Sequence, residues 1–598
     1  MCGIAGIITP NARNYSKELQ KMTDAIAHRG PDSEHHEFYE SAALGHRRLS
    51  IVDLSETGKQ PMFSSTKNEC IVLNGEIYGY LDLKKKYSDY PYRGTSDTEV
   101  ILAMYQAKGK ELLNELPGMF AFAIWDENKQ ELFCARDRFG EKPLFYAFGK
   151  NGELIFASEI KAILESGLIT PKVNQDALYH FLQYGYVSAQ QTIYSNIFTL
   201  PPAHFLLFKD GKIQQERYYN IPKNDSQINL SEAKEEFTLL LKNAVEKQLI
   251  ADVEVGSFLS GGLDSSTIVA MVSEFKPKQT TLSFGYSGEN SELKFAEEIA
   301  KKYNTNHIEI HENRGDIATD LLKISPFFDE PFSDMSYTPQ FKICQAAARH
   351  LKVALGGDVG DELFGGYQFY RVEQQLRDHF SYNNILVKFG LKQFGKLKET
   401  SFVTKQNIIY KNILDFHQNK VRNYFSAKEM ASLGIKSRFQ QEYSFSADPN
   451  SLNDIMRTDL EKYVPGNMLV KSDRMAMANS LEVRTPFLDK NFAEFCIQLP
   501  ENLKINSETD KIILRESMQN YWTESIRNRG KQGFGSSVET WFEEENLIQL
   551  SNDLLKNKES KVFELIDFQA SQKFLNQDKK HWNLLQLALW AENYKKFI

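Results

Sequence analysis

Short apolar runs punctuated by turn residues dominate the first third of the chain. Cys70-Ile71-Val72-Leu73 precedes Asn74-Gly75, and the run 119–125 precedes Asp126-Glu127-Asn128. Further runs at 131–135, 143–148 and 154–157 also read as strands. A helical stretch, 97–108, lies between them. Sheets with intervening helices predict an α+β layered domain. A polar, proline-interrupted stretch at 218–227 reads as a linker. From Ser231 the period changes to that of an amphipathic helix, with Ala233, Phe237, Leu240, Leu241, Ala244 and Val245 on one face. Strands at 253–259, 279–284 and 352–355 then alternate with helices, which predicts a parallel α/β sheet. The expected division is 1–218, a linker at 219–230, and 231–598. The stretch 378–451 carries no interpretable motif, and the closing helix around Trp582, Leu585, Leu589 and Trp590 reads as core packing.

Composition narrows the class. The 598 residues exceed what one hydrophobic core supports, so more than one domain is expected. Hydrophobic content of 41% and charged content of 25% are those of a soluble globular protein. A net charge of −8 argues against nucleic acid as a partner. No apolar run approaches a membrane span, and the opening segment lacks the basic start and length of a secretory signal. The five cysteines (Cys2, Cys70, Cys134, Cys344, Cys496) are scattered and odd in number. They predict neither a disulfide framework nor a paired metal site, and a reducing cytoplasm suits them.

The position of Cys2 adds chemistry. Removal of Met1 would put a thiol and a free α-amine on one residue, a nucleophile with its own base. Asn74 and the Gly75 N–H are candidates for an oxyanion hole, Gly75 allowing close backbone approach. Arg48 is a candidate clamp for an α-carboxylate, and Glu76 and Asp97 for an α-ammonium. Cys2-Gly3-Ile4, His28-Arg29-Gly30-Pro31-Asp32, the segment 46–53 and Asn74-Gly75-Glu76-Ile77-Tyr78, in this order, resemble the glutaminase domain of class II glutamine amidotransferases. That resemblance implies an N-terminal-nucleophile sandwich in which Cys2 attacks the glutamine amide, releasing ammonia.

A second site follows the strand ending at Leu259. Ser260-Gly261-Gly262-Leu263-Asp264-Ser265-Ser266 precedes a helix expected to begin near Thr267. Glycines that open the backbone, with amides and hydroxyls at a helix start, suit phosphate. No lysine follows the glycines, so the segment is not a P-loop. It resembles the pyrophosphate loop of the ATP-pyrophosphatases. Gly356-Gly357-Asp358-Val359-Gly360-Asp361-Glu362-Leu363-Phe364-Gly365-Gly366-Tyr367 also follows a strand and resembles a signature of asparagine synthetases, with Asp358 where some members carry Glu. Asp473-Arg474, the segment 482–489 and Lys511 extend that likeness. So do Arg529, Lys531, Gly533 and Phe534, although Ser536-Ser537 replace a usual proline.

The glutamine-hydrolysing asparagine synthetases thus resembled imply ATP, glutamine and aspartate as substrates and a homodimer. They imply Mg²⁺ near Asp264 and Asp361, Lys511 offsetting phosphate charge, and Asp358 or Asp361 organising the amination. A shielded route for ammonia between the sites belongs to the same expectation. Glu330-Pro331-Phe332-Ser333-Asp334 and Ser336 lie where acceptor contacts are plausible, without naming the acceptor. Another carboxylate acceptor is the rival reading. A regulatory protein that keeps only the fold is the other, and the intact Cys2, both loops and Lys511 count against it.

Overall fold

The computed structural model describes residues 1–223, 226–286, 292–312, 316–378, 422–436, 451–530 and 541–598. Lys531, Gly533, Phe534, Ser536, Ser537 and most of 378–451 lie outside the described residues.

Two six-stranded antiparallel sheets build the N-terminal part. The first runs in the order Ile197–Thr199, Phe145–Phe148, Leu154–Ala157, Gly3–Ile8, Ala42–Arg48, Ser33–Phe38. The second runs Lys212–Arg217, His204–Lys209, Glu131–Arg136, Met119–Asp126, Glu69–Glu76, Met62–Phe63. Period-two alternation explains how they stack. On Met119–Asp126, Ala121, Ala123 and Trp125 share a core with Ile4, Ile8 and Leu44 of the first sheet. The alternate residues Phe120, Phe122 and Ile124 share another with Val100 and Met104 of the helix Thr98–Lys108. The first sheet's outer face, Ala5, Ile7 and Ala43, packs with Leu19 and Met22 of the helix Ser16–Ala25. The order is helix, sheet, sheet, helix. Strands buried on both faces read as continuous apolar runs rather than alternating ones.

The C-terminal part holds five parallel strands in the order Asn306–Glu312, Thr280–Tyr286, Val255–Phe258, Val353–Leu355, Glu482–Arg484. From Val255–Phe258 the chain adds strands on one side, then crosses to add Val353–Leu355 and Glu482–Arg484 on the other. The crevice outside the carboxyl ends of Val255–Phe258 and Val353–Leu355 is therefore a topological switch point, where open α/β sheets bind ligands. Both glycine loops leave from those two ends.

The helix start after the first glycine loop differs most plainly from expectation. The helix after the first loop is Leu263–Phe275, starting four positions before Thr267. Apolar periodicity shows itself only from Ile268, whereas the extended Gly262 (φ −80°, ψ 166°) caps the helix earlier. Asp264, Ser265 and Ser266 thus sit in its first turn, where the helix dipole favours an anion such as Asp264.

The helix Asp578–Asn593 buries Trp582, Leu585, Leu589 and Trp590 in the core, as the sequence suggests. Met1 and Ile51 lie in the same apolar cluster as Val245 and Val353, so the two parts share a core. Among the described residues no helix is long and apolar enough to cross a membrane.

Candidate active site

Cys2 stands just ahead of the central strand Gly3–Ile8 and is buried. Its backbone N–H donates to Asn74 Oδ1 at 3.2 Å. Asn74 is fully buried, and its Nδ2 finds no hydrogen-bond partner among the described residues. An unspent amide donor beside a thiol is what an oxyanion hole requires. Gly75 is obligatory next to it, because a Cβ there would meet the Met119 carbonyl oxygen at 2.2 Å. Burial pushes the Cys2 thiol up, against the pull of the terminal ammonium and Arg48.

The charged candidates around Cys2 are more committed than sequence suggests. Arg48 donates to the carbonyls of Val52, Asp53 and Ser55, so it ties down that turn. Asp97 Oδ2 accepts from the Ile77 N–H at 2.9 Å. Glu76 Oε2 lies 3.3 Å from Arg484 Nη2, a partner from the far end of the chain. Burial and the Asp97 charge push the Glu76 carboxyl well up, with Arg484 opposing, and burial raises Asp97 against the pull of the Ile77 N–H.

Arg29 has a role that sequence reasoning did not assign. Its Nε donates to the Cys2 carbonyl at 3.1 Å, and its two Nη atoms meet both oxygens of Asp473 at 2.8 and 2.9 Å. Glu159 takes a further bond from Arg29 and lies 2.6 Å from Arg474. The only sequence signal for this network was that Arg29 and Asp473-Arg474 stood inside the matched motifs.

At the sheet's switch point lies a cavity of about 510 Å³. Leu259, Ser260, Gly262, Leu263, Asp264 and Ser265 line one wall, and Gly356, Gly357, Asp358 and Asp361 another. Gly261 and Ser266, both expected to contact phosphate, are not on the wall. Gly261 adopts φ +69° and faces Phe295 and Ala296, and Ser266 is fully buried. Gly262 gives the helix Leu263–Phe275 no side-chain cap, and the first helical residues, Leu263 to Ser265, line the cavity. The two loops touch: a Cβ on Gly357 would lie 2.9 Å from the Asp264 backbone and Ser265 N.

Lys511 Nζ bridges them at 2.5 Å from Asp264 Oδ2 and 2.6 Å from Asp361 Oδ1. Burial lowers this ammonium's affinity for its proton, but the two carboxylates outweigh it and Lys511 is held charged. At the cavity's other end Lys471 Nζ lies 3.1 Å from Asp334 Oδ2 and donates to Ser336 Oγ at 2.6 Å. Ser472 Oγ donates to Asp358 Oδ2 at 3.0 Å. Burial pushes Asp358 up, with Lys471 opposing. Sequence reasoning missed Lys471 and Ser472, which fall two or three residues before the motif's Arg474.

Of the segment 330–336, Asp334 and Ser336 reach this cavity. Glu330 and Ser333 do not: Glu330 Oε1 accepts from the Ile193 N–H, and Ser333 is fully buried against Trp582. Arg529 donates to the Gly261 carbonyl at 2.7 Å, bracing the first loop.

Residues 236–592 match the asparagine synthase family, and residues 1–219 match the glutamine amidotransferase domain. The chain belongs to the asparagine synthase family. Glutamine-hydrolyzing asparagine synthetase 1 of Bacillus subtilis is 31% identical over 99% of this chain and 96% of its own length. A putative glutamine-hydrolyzing asparagine synthetase 2 of Methanocaldococcus jannaschii is 39% identical over 61% of this chain and 76% of its own. Amidase chry2 of Gibberella zeae is 28% identical over 90% of each. The asparagine synthase region carries the 510 Å³ cavity, and the amidotransferase region carries Cys2, Asn74 and Gly75.

Proposed function

We propose that this enzyme transfers the amide nitrogen of glutamine to the β-carboxylate of aspartate at the expense of ATP. The carrying observation is that one chain joins a buried Cys2, beside the unspent Asn74 amide, to the Lys511-bridged cavity through the Arg29–Asp473 pair. Family membership supports the same reading. In this reading residues 1–218 form the glutaminase half, 219–230 a linker and 231–598 the synthase half.

With Met1 removed, the Cys2 α-amine takes the thiol proton, and Sγ attacks the glutamine carboxamide carbon. Asn74 Nδ2 and the Gly75 N–H receive the oxyanion. Collapse expels ammonia and leaves a glutamyl thioester, which water hydrolyses to glutamate. Glu76, Asp97 and Arg48 select glutamine through its α-groups. In the synthase half an aspartate β-carboxylate oxygen attacks the α-phosphorus of ATP, expelling pyrophosphate toward Ser260–Ser265 and the Leu263–Phe275 N-terminus. Ammonia then attacks the β-aspartyl carbon and expels AMP, with Asp358 or Asp361 accepting a proton and Lys511 offsetting phosphate charge.

Asp264 and Asp361 both reach Lys511 Nζ, so these two carboxylates lie close enough together that they would hold Mg²⁺ beside bound phosphates. When bound, Mg²⁺ offsets the polyphosphate charge. Five unpaired thiols, all buried, support a reducing cytoplasmic setting. A homodimer is part of the proposal.

One observation favours a second acceptor class. A further chamber of about 260 Å³, with Tyr184, Tyr186, Phe369 and Tyr424 in its wall, shares Asp334, Met335, Tyr367 and Tyr463 with the main cavity. It offers room for an acceptor larger than aspartate. The deciding experiment supplies glutamine, Mg-ATP and a panel of carboxylates, and measures AMP, pyrophosphate and amidated product. AMP formed with aspartate alone supports the first reading; AMP formed only with larger acid acceptors replaces it. ADP in place of AMP would overturn adenylation.

A further inference from the structure

A second buried charge cluster between the halves centres on Glu482, which the chemistry above does not use. The Met1 ammonium lies 2.6 Å from Glu482 Oε2, with both groups almost wholly buried. Glu482 Oε1 accepts from Arg484 Nε at 2.7 Å, and Arg484 reaches on to Glu76. Arg484 Nη1 is anchored by the carbonyls of Gln248 and Ile250 at 2.6 and 2.8 Å. Glu482, Glu76 and Asp97 thus bring three carboxylates together, balanced by Arg484 and the chain terminus. Among the described residues, Glu482 Oε2 has the terminal ammonium as its hydrogen-bond donor and no other.

Removing Met1 takes that donor away and creates a new amine on Cys2. Adjacent backbone nitrogens are at most about 3.7 Å apart. The new amine therefore starts no more than about 6.3 Å from Glu482 Oε2, at the outer edge of the range over which one charge stabilises another, so a small shift brings the two together. A buried carboxylate oxygen left without a donor costs enough to draw it in.

The other charged groups facing Cys2 are already engaged. Arg48 holds the 52–55 turn, and Arg29 holds the Cys2 carbonyl together with Glu159 and Asp473. Glu76 pairs with Arg484, whose guanidinium also lies over the Tyr78 ring, and Asp97 caps Ile77.

We propose that Glu482, carried by the synthase half, is a positioning residue of the glutaminase site, holding the Cys2 α-amine once Met1 is gone. The proposal rests on the reading of Cys2 as the glutamine nucleophile. It makes that site incomplete without the second half of the chain. It also puts the amine's partner on the strand Glu482–Arg484, whose Arg484 carbonyl accepts from the Gly356 N–H at 2.9 Å, at the start of the second glycine loop.

The test uses the full chain, with Met1 removal verified by mass, as Glu482→Gln and Glu482→Asp. Amidation is measured with glutamine and with an ammonium salt as nitrogen source, and kcat/KM for glutamine is followed against pH. Glu482→Gln should lower the ratio of glutamine-dependent to ammonia-dependent turnover by about tenfold, the equivalent of one unit of pKa. It should also move the acid limb of the glutamine profile to lower pH, because a lost carboxylate no longer favours the protonated amine. Glu482→Asp should recover part of both effects. An unmoved acid limb, or equal loss with both nitrogen sources, overturns the proposal. Should Glu482→Gln fail to fold, an unmoved limb in Glu482→Asp overturns it equally. If the unsubstituted chain releases no glutamate from glutamine, the Cys2 reading itself falls, and this proposal with it.

Discussion

Asn74 spends half of its amide. Its oxygen holds the Cys2 N–H, while its buried nitrogen has no hydrogen-bond partner among the described residues. Asn74→Ala removes the donor together with the anchor, and should cut kcat for glutamine hydrolysis by about 10²–10³-fold, checked by glutamate release at saturating glutamine.

Glu330 carries a different lesson. Burial pushes its carboxyl up to about 8, so the folded chain keeps a proton that the unfolded chain loses near its ordinary value. Stability contributed at this position therefore falls as pH rises from about 4.5 to about 8. Glu330→Gln keeps the acceptor for the Ile193 N–H without titrating. Thermal melts should show its Tm advantage over the parent widening between about pH 5 and about pH 8. The sequence set Glu330, with the rest of 330–334 and Ser336, where acceptor contacts are plausible; the direction in which each side chain leaves that segment is a tertiary property.

At the scale of elements, the two glycine loops work as a contact pair. Each was legible from its own residues, since glycines between a strand and a helix have few other uses. Their mutual packing was not. Gly357 is narrow because Asp264 and Ser265 occupy the space a side chain would need. Gly357→Ala should push the loops apart and lower adenylation at least tenfold, measured as pyrophosphate release with ammonia as nitrogen source, with glutamate release from glutamine much less affected.

The strands of the first part were readable from apolar runs bounded by turns: 154–157 is a strand from end to end, and 119–125 falls one residue short. The helix start at Leu263 was not, because a glycine cap outweighs the onset of apolar periodicity.

For the molecule as a whole, buried charge marks the seam alongside the shared apolar core. Arg29, Glu159, Asp473 and Arg474 form a buried network joining residues 444 positions apart. Breaking such a network from one side costs roughly 3–5 kcal/mol. Asp473→Asn leaves Arg29 short of a charged partner just where it holds the Cys2 carbonyl. Urea unfolding should show a lower midpoint, and glutamate formed per amidated product should rise as ammonia is lost at the loosened seam. Motif matching took in Arg29, Asp473 and Arg474 but not Glu159, and long-range pairing cannot be read from one sequence, because nothing local fixes which buried arginine meets which carboxylate.

The burial of Met1 also imposes an order of events during synthesis. A processing enzyme needs a loose, reachable chain end, and here that end is clasped by a carboxylate 481 residues downstream. At about 5–20 residues per second, the ribosome takes roughly 25 to 100 s to supply Glu482 after Cys2. Excision has that interval, plus the docking time, in which to act. On the proposed function, chains that miss it should keep the methionine and lack glutamine-dependent activity. Rapid overproduction should therefore yield a mixed population, separable by mass, in which the unprocessed fraction matches the shortfall in glutamine-dependent activity.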